Sequence, residues 1–115
     1  MITIRFTHAR VRWFIIPLPF PFRTFTIPLP KDFREWVGKI EDQLVENPYV
    51  GDQIRVPWFR EKKKEKYRVY YLIYDEFKVV YVVGISAKKD QQMVINTIWL
   101  LVDQFKDEIR NLIQK

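Results

Sequence analysis

The sequence predicts a single α+β domain, and three observations carry that expectation. Two β-rich runs of similar length, Tyr67 to Tyr74 and Lys78 to Ile85, flank a tight Asp75-Glu76 turn and read as a hairpin. Phe33, Trp36, Val37, Ile40 and Leu44 fall at helical spacing on one face of a segment that Asn47-Pro48 terminates. From Lys88 to Ile113, residues Ile95, Ile98, Val102, Phe105, Ile109 and Leu112 step by three and four, which predicts a long C-terminal helix. A chain of 115 residues with 48% hydrophobic and 17% aromatic content is too apolar for disorder and long enough for one core, so it folds as one domain.

The elements follow in chain order. Residues 1 to 22 read as an N-terminal extension, either an edge hairpin or a flexible segment. Ile2 to Phe6 alternates like a half-buried strand and Val11 to Ile16 is β-rich, but Pro17, Pro19 and Pro21 then favour extended polyproline geometry. The main domain is expected over residues 23 to 115. Arg23 to Ile27 alternates as a strand, and Pro28 and Pro30 break its pairing. Asp32 is a candidate N-cap for the first helix, and Gly38 costs that helix little if it lies where helix and sheet meet closely. Ile54 to Phe59 reads as a strand that tolerates Pro57 only at an edge or a bulge. A basic loop is expected between this strand and the hairpin. The apolar face of the C-terminal helix is expected to lie along the sheet, with pairing to a second copy of the chain as the other use of that face.

Charge is concentrated in one place. Arg55 to Arg68 holds seven Lys or Arg against two acids, so it carries +5 of a net charge of +6. Cations interleaved with Trp58, Phe59 and Tyr67 offer phosphate neutralisation beside flat faces for bases, which points to nucleic acid. Each of Lys62, Lys63 and Lys64 taken singly reads as a solvated side chain; together they speed association with a polyanion. Trp58 and Phe59 are assigned to core or edge packing.

Other chemistries find little material. With no Cys there is no disulfide framework or thiolate metal site, which suits a reducing cytoplasm. His8 is the sole histidine, too few for a His-rich metal site or a Ser-His-Asp triad. Glu35, Asp42 and Glu46, like Asp103 and Asp107, read as solvated helix faces. Three scattered glycines make no phosphate-binding loop, and the apolar stretch Trp13 to Phe22 falls short of the roughly 20 residues that span a bilayer. No signal peptide, membrane segment, metal or cofactor is expected.

The order of strand, helix, Asn-Pro turn, strand, basic segment and YRV strand, with the phrases ENPYVG, EKYRVYYLIYDE and VVYVVGISAKK, resembles the RelE/ParE toxin superfamily over roughly residues 23 to 95. The resemblance implies a small twisted antiparallel sheet backed by helices, to which this chain adds its longer C-terminal helix and its extension. It implies a toxin of a toxin–antitoxin pair, in the branch that cleaves messenger RNA on the ribosome without a metal, by attack of a ribose 2′-hydroxyl on the adjacent phosphate. On that basis Arg68 is the expected transition-state clamp, since a guanidinium binds phosphate oxygens in bidentate fashion. Arg60, Lys62 and Lys88 are the other expected catalytic residues, one lysine of the Lys62 to Lys64 run acting as base with its pKa lowered by neighbouring cations. Arg55, Lys63, Lys64, Lys66 and Lys89 are expected to bind RNA. The implied partners are messenger RNA, the ribosome and an acidic antitoxin. Gln91 to Val94 carries no Tyr or His where ribonuclease members often place one. The alternative is therefore a non-catalytic binding protein of the same fold, a gyrase inhibitor or a basic docking module.

Overall fold

The computed structural model of the chain describes residues 13–16 and 31–113. The strands expected at 2–6 and 23–27, and His8, lie outside the described residues. The elements are β1 (Phe14–Ile16), α1 (Lys31–Glu46), β2 (Asp52–Ile54), β3 (Val56–Lys64), β4 (Tyr67–Tyr74), β5 (Val79–Ala87), α2 (Gln91–Leu100) and α3 (Val102–Ile113). The strands form one sheet in the order β1-β5-β4-β3-β2. The class is α+β, as expected, but the sheet is mixed. β2 to β5 pair antiparallel, whereas β1 runs parallel to β5 with Phe14 opposite Val79 and Ile16 opposite Tyr81. Ile15 and Ile16 are fully buried, so this strand belongs to the core.

Alternation along the strands separates two apolar clusters, one on each face of the sheet. On one face Trp13, Ile15, Val69, Tyr71, Ile73, Val80 and Val82 meet Val37, Ile40, Leu44 and Val45 of α1. On the other, Phe59, Tyr70, Leu72, Tyr74, Tyr81 and Val83 meet Val94, Ile95 and Ile98 of α2 and Phe105 and Ile109 of α3. The β4–β5 hairpin is buried on both sides, which explains why its two strands read as unbroken apolar runs rather than as alternating ones.

Five local expectations change. The basic segment is not a loop: β3 continues to Lys64, and only Glu65 and Lys66 turn the chain. Pairing with β4, from Phe59 opposite Leu72 to Lys64 opposite Tyr67, gives those backbone groups partners that a loop would leave to water. The strand expected at 54–59 is interrupted at Arg55, whose φ of 63° reverses the chain between β2 and β3. Asp32 lies inside the first turn of α1 rather than capping it. The C-terminal helix is divided at Leu101, whose amide bonds to the Thr97 and Ile98 carbonyls, so α2 and α3 cover different parts of one face. Gly38 meets no close neighbour either; a methyl group there would find nothing within 4 Å. Among the described residues no helix is long and apolar enough to cross a membrane.

Candidate nucleic-acid interface

Strand geometry sorts the cations of the basic segment onto two faces. Arg60, Lys62 and Lys64 stand opposite Tyr71, Val69 and Tyr67, on the α1 side of the sheet; Lys63 stands opposite Arg68, and Arg68 opposite Ser86, on the α2 side. The structure therefore does not bring Arg60 and Arg68 to one point. The resemblance needs them to converge, and a period of two along β3 puts the sheet between them.

Arg60 is engaged by its own fold. Its Nε donates to the Pro57 carbonyl at 2.7 Å, and its Nη1 to the carbonyls of Tyr49 and Gly51 at 3.1 and 2.7 Å. Its guanidinium also lies 5.1 Å from the centre of the Tyr49 ring. The same turn is held from beneath, where the Tyr71 hydroxyl donates to the Pro48 carbonyl at 2.6 Å and accepts from the Gly51 amide at 3.0 Å. Pro48 to Gly51 has few strand partners of its own, so these side chains satisfy it.

Arg68 is 7% exposed and sits in a polar seam on the α2 side of the sheet. Its Nη1 donates to the carbonyls of Glu65 and Tyr67 at 3.0 and 2.9 Å, which ties it to the β3–β4 turn, while its Nε is buried without a partner. On the same face, the Tyr70 hydroxyl and Ser86 Oγ are 2.7 Å apart, and Gln91 donates to Glu61 at 2.8 Å. Burial pushes the Tyr70 phenol up to about 12 against the opposing Ser86 hydrogen bond, with the Glu61 charge adding to the rise. A guanidinium so covered does not meet a phosphate arriving from solvent.

Other cations do converge. The Lys88 amide donates to the Lys66 carbonyl at 2.6 Å, which joins the end of β5 to the β3–β4 turn. Lys66, Tyr67, Ala87, Lys88, Lys89 and Asp90 then line one open cavity of about 840 Å³. All three lysines are exposed. Lys66 Nζ lies 5.6 Å from the centre of the Tyr67 ring, and Lys64 Nζ lies 5.8 Å from that of Trp36. The remaining expected RNA-binding residues are elsewhere. Lys63 pairs with Asp52 at 3.4 Å, and Arg55 donates to Asn96 at 2.8 Å and lies 5.7 Å from the Trp99 ring centre. Phe59 is fully buried, and Trp58 stacks on Trp99 at 5.6 Å, so both aromatics serve packing.

Sequence reasoning missed Trp36 and Asp90 as neighbours of this end of the sheet. Trp36 shares its helical face with the core residues Val37 and Ile40, and nothing local separates its edge position from theirs. Among the described residues no group of three His, Cys, Asp or Glu side chains is placed to hold a metal ion. Together fold and surface define a small α+β protein with a five-stranded mixed sheet and one cationic end. No family model, no curated protein and no solved structure matches the chain.

Proposed function

We propose that this protein binds single-stranded RNA at the cationic end of its sheet, with Lys66, Lys88 and Lys89 holding successive phosphates and Tyr67 offering a ring to an adjacent base. The carrying observation is the gathering of those three lysines around one open cavity. Lys64, on the same side as Tyr67, extends the positive field towards Trp36. Cations provide affinity without sequence preference, and a stacked ring adds about 1–3 kcal/mol per base.

The test is fluorescence anisotropy of a labelled single-stranded RNA across a salt series. Three phosphate contacts, from Lys66, Lys88 and Lys89, predict a slope of log K on log salt of about −2, at about −0.7 per contact, and about −3 if the field of Lys64 displaces a further counterion. Replacing Lys88 and Lys89 together by Ala should reduce the slope by about 1.4 with the fold intact by circular dichroism. No binding at low salt, or an unchanged slope in that variant, rejects the proposal.

A second reading is the ribosome-dependent messenger-RNA-cleaving toxin of the RelE/ParE resemblance, restrained by an acidic antitoxin in the cytoplasm. The element order favours it: α1, a turn at Asn47-Pro48, β3 with its basic residues, then the β4–β5 hairpin. In that reading Lys88 and a lysine of β3 act on the scissile phosphate, and Arg68 must leave its seam to join them. Message cleavage in a translating extract that disappears in Lys88→Ala selects this reading; an intact message selects binding alone.

A further inference from the structure

A second cavity, of about 490 Å³, lies at the opposite end of β4 from the lysines. Tyr67 borders the cationic cavity and Tyr74 this one, so the full strand separates them, about 23 Å at ~3.3 Å per residue. Its character is reversed. Aromatic and apolar walls come from Tyr49, Trp58, Tyr74 and Val102, and the charges at its rim are Asp75, Glu76, Asp103 and Lys106. Three carboxylates against one ammonium give a net negative site on a chain whose net charge is +6.

Two of those carboxylates are committed. Glu76 pairs with Lys106 at 3.0 Å, and Asp75 with Lys78 at 3.0 Å. Among the described residues Asp103 has no ion-pair partner. Tyr74 adds an independent feature: it is 7% exposed, and its hydroxyl is buried without a hydrogen-bond partner. Burial, and then Tyr81 and the charges of Glu108 and Asp103, push that phenol above its usual range, so it remains protonated. An unsatisfied buried hydroxyl costs about 1–3 kcal/mol, so the fold tolerates here a polar group that it does not use.

The geometry points to a binding site for a small organic cation, a protonated amine carried on a flat apolar body, seated against Trp58 and Tyr74 with its charge at Asp103. Aromatic faces attract a cation through the ring quadrupole, and an apolar cavity with a few polar groups is the usual form of a small-molecule site. A free anion would meet three carboxylates here; a neutral molecule would leave Asp103 unanswered. The site is separate from the RNA surface, and neither proposal depends on the other.

Benzylammonium is the probe, and neutral benzyl alcohol, of similar shape, is its control. Titration of the isotopically labelled full chain, followed by amide and indole resonances, should give saturable shifts at Trp58, Glu76, Val102 and Asp103. Benzyl alcohol should bind about tenfold more weakly, the factor expected when a charge contact is withheld. Asp103→Asn, an exposed substitution whose unchanged spectrum elsewhere certifies the fold, should remove most of that difference. The absence of saturable shifts at millimolar benzylammonium overturns the inference. So does equal affinity for the two probes, or discrimination that survives Asp103→Asn.

Discussion

Replacing Arg60 by Ala separates a structural role for this residue from a catalytic one. In the fold its guanidinium gives three hydrogen bonds to main-chain carbonyls, those of Pro57, Tyr49 and Gly51. A hydrogen bond from a charged group contributes about 1.5–3 kcal/mol when its partner is left dry by the mutation. Pro57 and Tyr49 are exposed, so water replaces the arginine there at small cost; Gly51 is buried, and its carbonyl is the one that loses most. Adding the contact with the Tyr49 ring, worth about 0.5–1 kcal/mol, Arg60→Ala should lower stability by about 2–3 kcal/mol. Arg60→Lys should recover less than half, because an ammonium keeps the charge but not the planar fork that reaches carbonyls on both sides of the turn. Urea unfolding measures both: a lower midpoint with an unchanged m-value reports stability rather than altered compactness. The salt slope of RNA binding should be that of the parent, since Lys64, Lys66, Lys88 and Lys89 are untouched. Arg60→Ala within about 0.5 kcal/mol of the parent, the scatter of ordinary surface substitutions, would refute the structural assignment.

Two further measurements probe the same frame. The glycines should respond in opposite directions: a Cβ at Gly51 would lie 2.6 Å from the Glu61 carbonyl oxygen and 2.5 Å from the Tyr71 hydroxyl, whereas one at Gly38 meets nothing within 4 Å. Gly51→Ala should therefore cost about 1–3 kcal/mol through overpacking against backbone, and Gly38→Ala should add about 1 kcal/mol through helix propensity, both read from urea midpoints. The same sign for both would undo the account of the turn. In alkali, burial holds Tyr70 and Tyr71 up at about 12, against 10.0 for an ordinary phenol, and Tyr74 rises in the same direction. The unfolded chain loses these protons first, so the stabilisation is complete below pH 10 and is lost as pH rises from there towards 12. At about 1.4 kcal/mol per pKa unit, the two phenols together make a loss on the order of 5 kcal/mol, seen as tyrosinate absorbance that appears together with unfolding. Tyrosinate that forms near pH 10 in a still folded protein contradicts this.

Much of the fold was legible because its signals are local. The 3.6-residue spacing of Val37, Ile40 and Leu44 marks a helix whichever surface it meets, and a doubly apolar run such as Tyr67 to Tyr74 marks a strand with no solvent face. The site was harder to read. A run of lysines looks like a loop on hydrophilicity alone, and only the ladder with β4 shows that Lys62 to Lys64 are strand residues. Arg68 and Arg60 look equivalent in the chain, yet one is buried and tied to the β3–β4 turn, and the other is bound to a turn eleven residues before it.

By itself the chain of residues determined α1, the helical character of the C-terminal segment, the β4–β5 hairpin and the place where positive charge collects, because backbone period and composition act over neighbouring positions. Tertiary structure alone decided that β1 enters the sheet beside β5. It also decided that Arg60 and Arg68 are divided by that sheet, and that Lys66, Lys88 and Lys89 surround one cavity. Those outcomes depend on pairing between strands far apart in sequence, and one residue of register is enough to move a side chain from one face to the other.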